Sequence, residues 1–184
     1  MTALKEFDPN ITIETERLFL RFMSVNDTHA IFVNINNDRE VLKYFIDRYV
    51  ENEADMILDK VVQFCLENKR YLFAIELKET HEVIGMILQC SSPSPTFNNT
   101  EIGYALGRKY WNKGYATEAL KAMLDFTFTT GVNKIYVSHL VGNDASKRVI
   151  QKCGLTFEAR RKEDIHYHEQ YYDVDYYYLL NPNK

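Results

Sequence analysis

Apolar positions along the chain follow first a two-residue and then a three-to-four-residue period, and the changes between them mark its elements. In residues 11–21, Ile11, Ile13, Leu18 and Leu20 alternate in part, which predicts a first strand interrupted near Thr15-Glu16. Ala30, Ile31 and Val33 line part of one side of a following short helix, with Asn26 or Asp27 at its cap. Over residues 51–67, Ala54, Ile57, Leu58, Val61, Val62 and Cys65 recur at spacings of three and four and predict a second helix. Residues 71–76 and 82–88 are apolar runs separated by Lys78-Glu79-Thr80-His81, the pattern of a β-hairpin.

The polar, proline-containing stretch 91–99 predicts a loop, and residues 101–106 another strand. From Ala116 onward, Ala119, Leu120, Met123, Leu124 and Phe128 define one helical face, with a stop near Gly131. Alternation returns over residues 134–139 through Ile135 and Val137. A short helix over 144–153 follows, with Ala145, Val149, Ile150 and Cys153 on a common side and Gly154 behind it. Residues 155–159 and 173–180 complete the strands, the latter carrying Tyr176, Tyr177 and Tyr178, residues favoured on a pleated surface. The central order of strand, loop, helix, strand, helix favours an α/β arrangement in which helices cover a sheet. No internal repeat or low-complexity linker divides the chain, so residues 1–184 are expected to form a single domain.

Composition narrows the class. A chain of 184 residues, 46% hydrophobic and 26% charged, has the make-up of an ordinary globular protein with one substantial core. A net charge of -4 argues against general nucleic-acid binding and suits an amine-bearing partner. The opening MTALKEFDPN lacks an apolar signal segment, and no run of about 18 apolar residues is present to cross a membrane, so a cytoplasmic protein is expected. Cys65, Cys90 and Cys153 are odd in number and widely spaced, which predicts buried thiols and no disulfide framework. His166-Tyr167-His168-Glu169 offers two histidines and a glutamate, too few to define a metal site, so no metal is expected there. The segment is expected to be a polar loop or a substrate-facing edge.

The candidate chemistry begins at Trp111-Asn112-Lys113-Gly114-Tyr115-Ala116-Thr117-Glu118-Ala119, a small-residue turn feeding directly into a helix. Such a turn presents free backbone N–H groups at the positive end of the helix dipole, a place that holds phosphate. Gly114 permits a tight turn or close ligand approach, Ala116 has almost no side chain to block one, and Lys113 supplies a counter-charge. The segment matches neither the Walker lysine motif nor the dinucleotide fingerprint, and an ordinary compact helix start has the same look.

Read together, several ordered segments carry a resemblance. Thr15-Glu16-Arg17-Leu18-Phe19-Leu20-Arg21, Glu101-Ile102-Gly103-Tyr104-Ala105-Leu106, Trp111 through Ala119, and Asn143-Asp144-Ala145-Ser146 through Leu155 resemble the GCN5-related N-acetyltransferase (GNAT) superfamily, in particular its ribosomal-protein N-terminal acetyltransferase branch. With Tyr172-Asp173 included, the resemblance covers residues 11–180. It implies a fold of mixed α+β character, with a central twisted sheet of about seven strands that splays at its centre and about four flanking helices. It also implies an enzyme that transfers acetyl from acetyl-coenzyme A to an amine, either a protein N-terminus or a small molecule. Monomer and homodimer both fit it, as does a noncatalytic acyl-coenzyme A-binding regulator.

The resemblance assigns roles residue by residue. The backbone of the strand at Tyr104 through Leu106 would pair with the pantetheine arm. Trp111, Asn112, Lys113, Gly114, Tyr115, Ala116 and Thr117 would cradle the pyrophosphate, with Lys113 beside it. Asn143 would position the arm and Ser146 would hydrogen-bond to the sulfur, with Lys147 beside them on the cofactor side. Glu101 would accept the amine proton, directly or through water. The plain structural alternatives are a solvated strand-end carboxylate for Glu101 and helix capping by Asn143, with Ser146 in the first turn. Tyr167, Tyr171 and Tyr172, and less directly Phe22, Asn37, Tyr44 and Phe45, are candidates for the acceptor groove. The tyrosines equally fit a strand that packs its rings and exposes its hydroxyls.

Overall fold

The computed structural model describes residues 4–45, 49–167 and 169–182. The interruption near Thr15 is a turn: the Leu18 amide donates to Thr15 Oγ1 at 2.9 Å and the Thr15 amide to the Leu18 carbonyl at 3.0 Å. It divides the first strand into β1 (Thr12–Glu14) and β2 (Leu18–Phe22), which pair antiparallel. After them come β3 (Leu72–Leu77), β4 (Val83–Gln89), β5 (Asn99–Leu106), β6 (Lys134–Leu140), β7 (Thr156–Tyr167) and β8 (Gln170–Leu180). One sheet of 8 strands results, in the order β1-β2-β3-β4-β5-β6-β8-β7. The helices are α1 (Thr28–Ile31), α2 (Arg39–Leu42), α3 (Leu58–Glu67), α4 (Tyr115–Thr129) and α5 (Asp144–Lys152). The first two are single turns, and a π-helical turn at Phe32–Asn36 lies between them.

The sheet is covered on both faces, which is why β3 is an unbroken apolar run through Leu72-Phe73-Ala74-Ile75. Successive side chains point to opposite faces. Phe73 and Ile75 join Leu18, Leu20 and the α4 residues Leu120, Met123 and Leu124 in one core cluster. Leu72 and Ala74 join Ile31, Ile35, Leu42, Leu58 and Cys65 in the other. The α4 face expected from periodicity is the buried one. On α5, Ile150 is fully buried while Ala145 is exposed, so the packed stripe is narrower than its spacing suggests.

Two elements depart from the sequence pattern. The helix expected from residue 51 begins at Leu58, after a 3-10 turn at Glu53–Asp55, and Ile57, Val61 and Phe64 stay exposed. Only the stripe through Leu58 and Cys65 meets the sheet, so a full apolar face is not needed. Strand β7 continues eight residues past the expected end at Ala159, through an almost wholly exposed polar segment. It is an edge strand with water on both sides, and its charges and register shifts guard the open edge. Its anchor is the pair from Arg160 Nε and Nη2 to the two oxygens of buried Asp175, at 2.7 and 2.9 Å. His166 lies within β7 and stacks on Tyr171. His168 lies outside the described residues.

Arg21 on β2 holds two buried carboxylates. Its Nη1 and Nη2 donate to Asp27 at 2.9 and 2.7 Å and its Nε to Glu76 at 2.6 Å. Asp27 also accepts from the Ser24 amide at 2.8 Å in a capping box. Burial pushes both carboxyls up, but the hydrogen bonds from Arg21 and Ser24 to Asp27, and from His81 and Arg21 to Glu76, outweigh it and hold both below the ordinary range. Stability from this network is therefore present at neutral pH and lost as pH falls through the two depressed values. Arg21→Ala is expected to cost about 3–5 kcal/mol at pH 7, by removing the guanidinium counter-charge from two buried carboxylates and leaving Asp27 to the Ser24 amide and Glu76 to His81. In urea titrations that cost should shrink once the carboxyls protonate at acid pH; a loss independent of pH would contradict the assignment.

Candidate active site

The site arises where the sheet comes apart. β5 and β6 pair in parallel at Asn99↔Lys134, Thr100↔Ile135 and Glu101↔Tyr136 only. Beyond that point β5 stays with β4 as far as Gly85↔Leu106, and β6 stays with β8 as far as Leu140↔Val174. The two strands diverge into a V, and the cleft between them has a volume of about 780 Å³. Its walls include β5 from Glu101 to Leu106, the start of α4, the α5 cap Asn143, and Ser146, Arg148 and Lys152 of α5.

At one end lies the turn into α4. Asn112 (φ 60°) and Gly114 (φ 85°) both adopt the left-handed conformation, so the chain doubles back before the helix. A Cβ on Gly114 would stand 3.3 Å from Arg17 Nη2, so glycine answers both the backbone angle and the crowding. No side chain caps α4, and Tyr115, Ala116 and Thr117, whose first-turn N–H groups have no intrahelical partner, line the cleft. Trp111 closes the turn from below, its indole N–H donating to the Leu106 carbonyl at 2.8 Å. That carbonyl is thereby occupied.

The first hairpin clamps this turn from outside. Glu118 Oε1 accepts from Thr15 Oγ1 at 2.6 Å and from the Arg17 amide at 2.8 Å, and Oε2 accepts from Arg17 Nε at 2.7 Å. Arg17 Nη1 donates to the Lys113 carbonyl at 3.0 Å, and its guanidinium stacks on the Tyr115 ring. Burial pushes the Glu118 carboxyl up, and the bonds from Thr15 and Arg17 outweigh it, so its pKa is lowered. Thr15-Glu16-Arg17 and Glu118 are thus one device, which the separate motifs in the sequence do not reveal.

Cationic side chains are distributed differently from expectation. Lys113 Nζ turns toward the Tyr110 ring, at 5.8 Å from its centroid, and Lys147 contributes to the field on Asp175. Neither is among the residues that line the cleft, whereas Arg148 and Lys152 are. Their four-residue spacing on α5 is the signal that could have found them.

At the vertex, Glu101 Oε1 accepts from Ser138 Oγ on β6 at 2.6 Å. Across the cleft, Asn143 caps α5 by accepting from the Ser146 amide at 3.1 Å, and Ser146 Oγ lies 2.8 Å from Tyr104 Oη. Capping and cleft lining therefore coexist at Asn143. Cys90 departs from the expected buried thiol: it is exposed to the cleft, while Cys65 is buried and Cys153 half-buried. Its position follows from the end of β4, where its amide donates to the Glu101 carbonyl at 2.8 Å. The protein around it and the Glu101 carboxylate push its pKa up to about 12.

Of the groove candidates, Tyr44 and Phe45 line the cleft, and Tyr44 Oη stands 3.8 Å from where a Cβ on Gly142 would lie. Phe22 packs against Phe7 and Phe73, and the Asn37 side chain donates to the carbonyls of Val50 and Glu51; both are structural. Tyr171 stacks on His166 and Tyr172 Oη donates to Gln170, on the hairpin end; Tyr167 closes β7 there. None of these three lines the cleft, where Ile165 and Val174 stand instead. Among the described residues no group of three histidine, cysteine or acidic side chains is placed to hold a metal ion, and no helix is long and apolar enough to cross a membrane.

A splayed sheet with an uncapped helix start at its mouth makes a cleft suited to an extended, phosphate-bearing ligand. Residues 17–156 match the family model described as an acetyltransferase (GNAT) domain, and the chain belongs to that family. It is an N-acetyltransferase. An uncharacterized N-acetyltransferase p20 of Bacillus licheniformis is 39% identical over 156 residues, 80% of this chain and 84% of its own length. The [ribosomal protein uS5]-alanine N-acetyltransferase of Escherichia coli (strain K12) is 22% identical, over 84% of this chain and 83% of its own. A GNAT-family acetyltransferase structure from Bacillus anthracis superposes with a TM-score of 0.80 at 28% identity, covering 93% of this chain and 99% of that one. Spermidine N-acetyltransferase from Vibrio cholerae, solved with CoA and spermine, gives 0.78 at 23% identity, over 91% and 97%.

Glu118→Ala is expected to lower stability by about 1–3 kcal/mol, since it strands the donors of Thr15 and Arg17. It should also weaken coenzyme A binding in calorimetry by about tenfold, because the α4 turn loses its outer clamp. Unchanged affinity would separate the clamp from the turn.

Proposed function

We propose that this protein acetylates the N-terminal α-amine of a protein, with Glu101 as the proton acceptor and Ser146 as the hydrogen-bond donor to the leaving sulfur. One observation carries the reading: Glu101 stands where β5 and β6 part, and Ser146 lines the same cleft from α5. A nucleophile entering from the β6 side would meet the carboxylate, and a thioester held along β5 would bring its sulfur toward Ser146.

The residues fit the phosphate-bearing donor. The left-handed turn at Asn112 and Gly114 and the uncapped start of α4 suit the pyrophosphate, with Arg148 and Lys152 as cations on the facing wall. Tyr104 borders the channel that the pantetheine arm would follow, with Asn143 on its far side. Bound acetyl-coenzyme A supplies an activated acetyl group.

An α-amine titrates near 8 and a lysine amine near 10.4, so an acceptor of either kind must shed a proton before or as it attacks. Glu101, oriented by Ser138, takes that proton directly or through one water. The sulfur departs with the electron pair of the broken C–S bond, and a hydrogen bond from Ser146 Oγ stabilises the developing charge. Ser146 is a donor and not a covalent nucleophile: its side chain pairs with the Tyr104 hydroxyl, and among the described residues no histidine base is hydrogen-bonded to it.

An α-amine is favoured as acceptor because the relatives include a ribosomal-protein alanine acetyltransferase. A small-molecule amine is the second reading, on the likeness to a polyamine acetyltransferase. A mass-spectrometric screen of peptides with varied first residues, polyamines and amino sugars decides between them, each product gaining about 42 Da. Binding of acetyl-coenzyme A with no transfer to any acceptor would replace both with a noncatalytic acyl-coenzyme A-binding role.

Glu101→Gln should lower kcat/KM at neutral pH about 100-fold and recover part of it as pH rises and free amine accumulates. A variant matching the wild type across the full pH profile would end the base assignment. Ser146→Ala should reduce kcat about tenfold with little change in KM for acetyl-coenzyme A; undiminished turnover would remove the serine from the chemistry.

A further inference from the structure

We infer that the Tyr104 side chain is a positioning residue for acetyl transfer, its hydroxyl donating to Ser146 Oγ so that the serine's own hydrogen is left to point at the departing sulfur. The inference rests on the role given to Ser146 above. It goes beyond the part expected of Tyr104, which concerned only its backbone.

Three observations support it. Tyr104 reaches out of β5 to the first turn of α5, placing Oη 2.8 Å from Ser146 Oγ. The other acceptor near Oη is the Ser146 carbonyl at 3.5 Å, the outer limit of a hydrogen bond, so the serine oxygen is the better target. Burial pushes the Tyr104 phenol up, against a smaller opposing effect of the Ser146 bond, so the phenol keeps its proton throughout the working range and always has one to donate.

Each hydroxyl has a single hydrogen, so the pair has two arrangements. If Ser146 donates to Tyr104, its hydrogen is spent inside the pair. If Tyr104 donates to Ser146, the serine hydrogen is free for the cleft. Negative charge developing on the sulfur selects the second arrangement, and the two hydrogen bonds in series polarise one another. The balance of the step is simple. The N–C bond forms as the C–S bond breaks, the sulfur leaves as a thiolate with the bonding electron pair, and the amine proton goes to Glu101 or its water. No proton leaves Tyr104 or Ser146.

The fixed register also explains why this contact is steady. Asn143 caps α5 through the Ser146 amide, which holds the serine at one position of the first turn. Tyr104 is held through the β5 pairing Ile87↔Tyr104. Neither partner can drift without disturbing a ladder or a cap.

A double-mutant cycle of Tyr104→Phe and Ser146→Ala tests the inference, with acetyl-coenzyme A and the best acceptor from the screen. Tyr104→Phe keeps the ring, and a thermal melt superimposed on the wild type will show that packing is retained. Its kcat should fall about fivefold to tenfold with KM for acetyl-coenzyme A unchanged. Added to Ser146→Ala, it should cost nothing more, because its effect runs through the serine. A Tyr104→Phe enzyme with full kcat overturns the inference. So does a loss of equal size in the presence and absence of Ser146, which would mark Tyr104 as acting independently. If Ser146→Ala alone is harmless, the leaving-group reading fails first; a Tyr104→Phe loss in that case would still refute the route through Ser146.

Discussion

Everything the cleft offers depends on how briefly β5 and β6 hold together. Their parallel ladder spans three residue pairs, and both strands then follow their other neighbours, β4 and β8. A longer ladder would seal the sheet and leave no space between Glu101 and Ser146. A shorter one would release the vertex that aims Glu101 and Ser138 at each other. Parting the strands exposes backbone edges, a cost that sheets ordinarily avoid. An extended ligand arm is the natural partner for such an edge, and so the weakness of the sheet coincides with its site.

The two ends of the cleft are steadied in different ways. The end at the α4 turn is tied from outside, by Thr15 and Arg17 on Glu118. The α4 turn combines two left-handed residues with unsatisfied amides, a conformation that local interactions alone hold poorly. An ion pair and three further hydrogen bonds from a hairpin about a hundred residues away fix it. At the vertex and across from it the steadying groups are hydroxyls: Ser138 on Glu101 and Tyr104 on Ser146. Neutral partners orient a carboxylate or a serine without imposing a charge on it, which suits the proton-accepting and hydrogen-bonding roles proposed for the two.

Much of the scaffold was legible because periodicity is local. The stripe Ala119, Leu120, Met123, Leu124 and Phe128 predicts both α4 and its buried face, and the apolar run over residues 71–76 predicts a strand. Patterns failed where packing was partial. The α3 region displays more apolar residues than the sheet can cover, so its helix looked longer than it is. β7 displays almost none, because an edge strand in water has no apolar face to advertise. The cysteines illustrate the same limit: Cys90 resembles Cys65 in sequence, yet the end of β4 delivers it to the open cleft.

By itself, then, the sequence determined the order of most elements, the turn that leads directly into α4, and, through its ordered motifs, the acetyltransferase resemblance. Only the tertiary structure decided which side chains meet. Ser138 and Glu101 are 37 positions apart, Tyr104 and Ser146 are 42, and Thr15 and Glu118 are 103. It also set Lys43, Arg148 and Lys152 in the lining of the cleft. The physical reason is that hydrophobic period and turn chemistry act over a few residues. Contacts across the cleft are set by strand register and by the angle at which β5 and β6 separate, quantities that no local window of sequence contains.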